Sequence, residues 1–225
     1  MADFRILHID SSARRGVSGE QRHGSHSRRL TRRFVERWLA ARPEDELVYR
    51  DVGGQPPSPV DHDWIAAAFT PPEARGADAK ARLLESDRLT AELLAADLIV
   101  IGAPMYNFGV PAQLKAWIDN VVRVGLTFGF DRAREGEPYW PMLPEGKRLV
   151  ILSARGDHGY DPGGRLEASN LVEAGIRVPM AYIGLTQSHG LAIEYDEFAD
   201  QRLAGSIAAA EEGVDRLVDR LLAAG

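Results

Sequence analysis

The chain reads as an α/β protein: an open, doubly wound parallel sheet of five strands with helices on both faces, in one domain spanning residues 1–225. Three observations predict this. Apolar runs rich in β-branched residues, most continuous in Leu98 to Ala103, suit strands buried on both faces, as central parallel strands are. After each run and its loop, apolar residues recur at helical spacing, so strand and helix alternate along the chain. Residues able to hold a ligand fall in the loops just beyond the strands' C-terminal ends, where open α/β sheets bind.

Phe4 to Asp10 is the first strand, and the helix after it begins near Ser25 and carries Leu30, Phe34, Val35, Trp38 and Leu39 on one face. The loop between holds Ser11, Ser12, Ser18, Ser25 and Ser27. Hydroxyls beside the free N–H groups of a helix N-terminus form an anion site, although a serine loop by itself equally well caps and turns. Glu46 to Val52 is the second strand, ended by Gly53-Gly54 and a proline-rich stretch. A short helix from Asp63 to Phe69 stops at Thr70-Pro71-Pro72, and a longer one runs from Ala77 to Ala95. In these, Leu83, Leu84, Leu89, Leu93 and Leu94 are expected as scaffold, and Trp64 and Phe69 as core or interface residues.

Leu98 to Ala103, the third strand, is stopped by Pro104. From Pro111 the spacing of Leu114, Trp117, Ile118, Val121 and Val122 marks one face of a helix, with Gly125 just past its end. Between strand and helix lies Met105-Tyr106-Asn107-Phe108-Gly109. Tyr106 and Phe108 offer faces for stacking, Asn107 an amide donor and acceptor, and Gly109 room for close backbone approach, which together suit a flat ligand with a polar edge. Leu126 to Glu145 is an irregular or hairpin-like excursion. Lys147 to Ser153 is the fourth strand and leads into a glycine-rich turn, Ser153 to Tyr160. His189 to Glu194 is the fifth strand, and Asp196 to Ala223 the last helix.

Composition narrows the chemistry. With no cysteine the chain has no disulfide, thiol nucleophile or iron–sulfur ligation, so redox chemistry needs a borrowed cofactor. A net charge of −6 argues against general nucleic-acid binding, and neither a signal peptide nor a membrane-length apolar run is present, which fits a cytoplasmic protein. The region from Arg14 to Arg37 contains eight arginines; they either steer anionic nucleotides or form a solvated helix face balanced by acids elsewhere. His23 and His26 lack a third ligand at metal-like spacing, and no metal site is expected.

The segment APMYNFGVPAQLKAWIDNVVR resembles the flavin-binding segment of the FMN-dependent NADH:quinone oxidoreductases and azoreductases, and the resemblance extends more weakly from Phe4 to about Tyr195. It implies a flavodoxin-like fold with strand order 2-1-3-4-5, and helical structure from Leu166 to Gly184, where Pro179 argues for a kink or break. It implies FMN as cofactor, held by Ser12, Ser25, His26 and Ser27 at the phosphate and by Met105, Tyr106, Asn107 and Phe108 at the ring. The stretch Ser153, Ala154, Arg155, Gly156, Asp157 resembles the family's Ser-Arg-Gly-Gly element beside the flavin's pyrimidine edge, with Ala154 and Asp157 departing from it. Either His158 or Tyr160 could add a polar contact there. The chain from Arg14 to Gly24 is longer than the family's compact loop. An aromatic at Phe130 lines the family's substrate pocket, and Tyr182 matches a position that reaches the partner's flavin, which implies a homodimer.

Other classes fit less well. The sequence has no Gly-x-Ser-x-Gly elbow, no P-loop and no Gly-x-Gly-x-x-Gly after a strand, so a hydrolase, a P-loop kinase and a Rossmann dehydrogenase recede. The implied activity is two-electron transfer from NADH or NADPH, a transient visitor, through bound FMN to a quinone or azo compound. A flavodoxin-type one-electron carrier is the alternative.

Overall fold

The computed structural model of the protein describes residues 4–224. Five strands form one parallel sheet in the order β2-β1-β3-β6-β7, where β1 is Arg5–Asp10, β2 Glu46–Asp51, β3 Leu98–Pro104, β6 Arg148–Ala154 and β7 Gln187–Ile193. Two further strands, β4 (Phe128–Phe130) and β5 (Tyr139–Pro141), pair antiparallel as a separate hairpin inside the expected excursion. Without that hairpin the order is the expected 2-1-3-4-5. The helices are α1 (His26–Ala41), α2 (His62–Phe69), α3 (Ala77–Ala95), α4 (Ala112–Val121), α5 (Leu171–Tyr182) and α6 (Gln201–Ala223). No helix among the described residues is long and apolar enough to cross a membrane.

Because successive strand side chains point to opposite faces, the sheet feeds two separate cores. Ile6, Leu98, Val100, Val150, Leu152 and Ile193 pack with Leu30, Phe34 and Trp38 of α1 and Val214, Leu217 and Leu221 of α6. Leu7, Ile9, Ile99, Ile101, Leu149 and Ile151 pack with residues of α3, α4 and α5. β3 is buried along its whole length, as its unbroken apolar run requires.

Two expectations are corrected, and of the two readings of the arginine-rich stretch the pairing with acids holds for α1. Leu84 and Phe69 are exposed, so Leu83, Leu89, Leu93 and Trp64 carry the packing of their helices. The helix expected from Leu166 starts at Leu171, after a 3-10 turn at Glu167–Ser169, and it runs through Pro179 without a break. Pro179 lies in the last turn, where its missing N–H leaves one carbonyl, that of Gly175, without its helical donor, and the buried Ile176 and Met180 beside it hold the turn in the core. The arginine-rich face of α1 is a pairing surface: Arg29, Arg33 and Arg37 reach Glu211, Asp215 and Asp219 of α6 at 2.6, 2.8 and 2.7 Å. Both partners advance by four residues at each step, so the helices run parallel and these arginines face α6.

Candidate active site

Chain direction brings the C-terminal ends of β1, β3 and β6 side by side, with Asp10 beside Gly102 and Pro104 beside Ala154 in register. The loops that leave these ends touch. Met105 N–H donates to the Ala154 carbonyl at 2.8 Å, and Ala13 N–H donates to the Tyr106 hydroxyl at 3.1 Å.

At the first loop, Ser25 caps α1 by accepting the Arg28 N–H at 3.3 Å, and its hydroxyl lies 3.0 Å from that of Ser27. The N–H groups of His26 and Ser27 open the helix, where the dipole favours an anion. Ser12, Ser25 and Ser27 are 1, 2 and 0% exposed. The long loop 14–24 is laid against two of them: Arg14 N–H donates to Ser12 Oγ at 3.2 Å, and Val17 pairs with Ser25 between the bonds from Ser25 N–H to Gly16 and from Ser18 N–H to Ser25, whereas Ser27 lies against β3 at Gly102.

Under this loop Arg28 is buried. Its guanidinium donates to the carbonyls of Ser12 (2.9 Å) and Arg14 (3.0 Å), to Tyr49 Oη (3.0 Å), and to Asp10 and Asp51. Asp10 also accepts the Thr31 hydroxyl at 2.8 Å and faces His8 at 3.4 Å. Burial pushes the Asp10 carboxyl up, but His8, Thr31 and Arg28 outweigh it and hold the group below the usual carboxylate value. Burial raises the Tyr49 hydroxyl, and Asp10 beside it adds to the shift. Glycine is required nearby: a Cβ at Gly53 would stand 2.1 Å from the Ser12 carbonyl oxygen.

The second loop is a tight turn closed by reciprocal bonds between Tyr106 and Gly109 at 3.0 and 3.1 Å. Asn107 and Phe108 at its tip have φ of 48° and 70°. Asn tolerates that conformation and Phe does not, so strain is stored where Phe108 stands half exposed. Leu171 N–H, at the start of α5, donates to the Phe108 carbonyl at 3.1 Å and braces the turn.

In the third loop the side chains of Ser153 and Arg155 are committed elsewhere. Ser153 Oγ donates to Glu173 at 3.1 Å, and the buried Arg155 guanidinium binds Glu173 (2.6 Å), Asp161 (2.8 Å) and Glu194 (2.9 Å). The Arg155 N–H is taken by Ile193 and the carbonyls of 154–157 by Met105 and residues 195–197, so what this stretch offers a ligand is the N–H groups of Gly156 and Asp157, together with the Asp157 carboxyl, which Arg165 holds below the usual range. Tyr160 is buried with Arg155 over its ring, whereas His158 is partly exposed and stacks on Tyr195 with centroids 4.5 Å apart. Of the two, His158 is the accessible one.

Phe130 and Tyr182 join a half-exposed aromatic cluster: Phe130 stacks on Tyr139 at 4.6 Å, and Tyr182 meets Phe128 at 5.1 Å and Tyr139 at 6.0 Å. The cluster stands at the C-terminal end of α5, while Phe108 contacts the N-terminal end. At 1.5 Å per residue that is a separation of about 16 Å. Within one chain the fold does not bring these aromatics to the 105–109 turn.

A family model described as a flavodoxin-like fold matches residues 5–214. The chain belongs to this flavodoxin-like family. Similar curated proteins include FMN-dependent NADH:quinone oxidoreductase 2 of Idiomarina loihiensis, 42% identical over 216 residues that cover 96% of this chain and 90% of that one. FMN-dependent NAD(P)H:quinone oxidoreductase 1 of Pseudomonas aeruginosa is 40% identical over 220 residues, 97% of each chain. The crystal structure of an azoreductase from Bacillus anthracis superposes with a TM-score of 0.82 at 20% identity, over 96% of this chain and 99% of that one, and shares its fold.

In this flavodoxin-like chain, sequence reasoning passed over Arg28 and Asp196. Arg28 had a signal: it falls in line with Thr31, Val35 and Trp38 on the buried face of α1, and a charge on an apolar face needs a partner. Asp196 had none, because its partners Arg14 and His26 are remote in sequence. His26 stands at the helix start. Its Nε2 lies 3.2 Å from Asp196 and its Nδ1 2.8 Å from Ser18 Oγ, so its ring is held within the protein. Among the described residues no cluster of His, Asp and Glu could hold a metal ion.

Proposed function

We propose that the protein is an FMN-dependent NAD(P)H:quinone oxidoreductase that also serves azo compounds. The carrying observation is the meeting of three loops at adjacent strand ends: a serine-lined helix start, a strained turn with an aromatic tip, and a backbone-presenting segment. Their donors fit FMN. Ser12, Ser25, Ser27 and the first N–H groups of α1 suit a phosphate; Met105, Tyr106, Asn107 and Phe108 suit the ring; the N–H groups of Gly156 and Asp157 suit a polar ring edge. The group these residues would hold would supply two-electron chemistry between NADH or NADPH and the acceptor. The chain's own part is placement and shielding. Arg28 fixes the Ser12 and Arg14 carbonyls, the strained turn holds its tip rigid, and no side chain is assigned as acid or base.

The distance between the aromatic cluster and the 105–109 turn supports a homodimer in which Phe130 and Tyr182 of one protomer cover the pocket of the other. An exposed group of Phe130, Tyr139 and Tyr182 is a surface that such packing would cover. Purified protein mixed with FMN and desalted is expected to be yellow, with about one non-covalent FMN per chain. Protein that stays colourless after exposure to excess FMN rejects the reading.

A further inference from the structure

Past Ile193 the chain bends back over the third loop and lies against it through backbone bonds. Tyr195, Asp196 and Glu197 N–H groups donate to the carbonyls of Asp157 (3.4 Å), Arg155 (3.2 Å) and Gly156 (3.1 Å). The approach is close enough that a Cβ on Gly156 would stand 2.4 Å from Glu197 Oε1. Two residues in this bend, Tyr195 and Ala199, have φ of 69° and 51°. Such strain persists only where surrounding contacts impose it. What the bend delivers is the Asp196 carboxylate, 3.1 Å from Arg14 and 3.2 Å from His26. Arg14 begins the long loop. His26 sits between the two cradle serines and holds Ser18, also in that loop, through its other nitrogen. The hydrogen bond from His26, with help from Arg14, keeps the Asp196 carboxyl below its usual value despite partial burial.

We infer that Asp196 is a positioning residue that latches the 14–24 loop shut over the serine cradle and fastens it to the 155–157 backbone, so that both ends of the site close together. This rests on the FMN reading above. Two observations carry it: Ser12 and Ser25, against which the loop is laid, are cut off from solvent, and Asp196 joins that loop and the helix start through its carboxylate and the third loop through its backbone N–H. A phosphate must part the latch on entry and on exit. The ring end alone does not.

The test is the rate of flavin binding, measured by stopped-flow fluorescence quenching with FMN and with riboflavin, which carries the same ring and no phosphate. Asp196→Ala should associate with FMN several-fold faster than the unmodified protein, and release it faster still. Its affinity should be about tenfold weaker, a tenfold change in Kd. The riboflavin association rate should be unchanged. His26→Ala should behave alike, His26→Gln, which keeps an N–H donor, should restore slow association, and the Asp196→Ala/His26→Ala double variant should add little to either single. If Asp196→Ala only releases FMN faster, or only melts lower, with its association rate unaltered, Asp196 is a brace and the latch is rejected. Where Asp196→Ala does not fold, Asp196→Asn, which keeps an acceptor and loses the charge, gives the same comparison. Unmodified protein that binds neither flavin defeats the FMN reading instead.

Discussion

Replacing Arg28 by Met keeps most of the side-chain volume and removes the guanidinium that ties the first loop to β1 and β2. The side chain is 7% exposed, and of the carboxylates it serves, Asp10 is 6% and Asp51 32% exposed. Breaking one side of a buried pair costs about 3–5 kcal/mol, because the other charge is left stranded. Here Asp10 keeps Thr31, His8 and Tyr49 as partners and Asp51 can turn to water, so the lower part of that range applies, about 3–4 kcal/mol. For a chain of this size each kcal/mol lowers Tm by roughly 2–4 °C, which gives a fall of roughly 6–16 °C. Scanning calorimetry of apoprotein measures it. Arg33→Met is the control, because it removes a half-exposed pair between α1 and α6 that is worth about 0–1 kcal/mol. The Ser12 and Arg14 carbonyls lose their donor only in Arg28→Met, so only this variant should also bind FMN about tenfold less tightly, some 1.4 kcal/mol. An Arg28→Met protein that melts within a degree of the Arg33→Met control and binds FMN normally would refute the reasoning.

Two further outcomes follow from the same geometry. The Asp10 carboxyl titrates below its unfolded value of 3.8, so the stabilisation it supplies is complete above that pH and is lost as pH falls through the lower folded value. Asp10→Asn should therefore flatten the acid limb of a denaturant-stability profile below about pH 4, and an unchanged slope would show that Asp10 is not the group responsible. Phe130→Ala and Tyr182→Ala should lower quinone turnover several-fold while FMN dissociation changes less than twofold, and sedimentation should show a dimer at micromolar protein; a fully active monomer would reject the shared pocket.

Periodicity and turn chemistry made the sheet legible, because β1, β3 and β6 are buried on both faces and their apolar runs could not be anything else. The 105–109 turn was legible as a turn, because an asparagine and a glycine between a buried strand and a helix suit a tight reversal. Side-chain direction was not legible. Arg155 looks like a ligand residue in sequence, yet Glu173 and Glu194, 18 and 39 residues further along the chain, capture its guanidinium. The His26 ring is engaged by Ser18 and Asp196 at both its nitrogens, which leaves its backbone N–H at the helix start for the cradle. Each of these pairings depends on which loops the topology brings together, and no local pattern encodes that. The helix through Pro179 was misjudged because core packing of Ile176 and Met180, which local propensity does not show, holds the turn around a proline that removes one donor.

The most direct measurement of the central claim is an anaerobic titration of the FMN-loaded protein with NADH or NADPH, followed in the visible spectrum and then by addition of a benzoquinone. Bound FMN should bleach in one two-electron step, with the long-wavelength bands of a radical staying small, and the quinone should restore the yellow colour. Steady-state rates should follow a ping-pong pattern in the two substrates. FMN that NADH and NADPH leave unbleached, while dithionite converts it to a long-lived radical, would contradict the claim and identify a one-electron carrier instead.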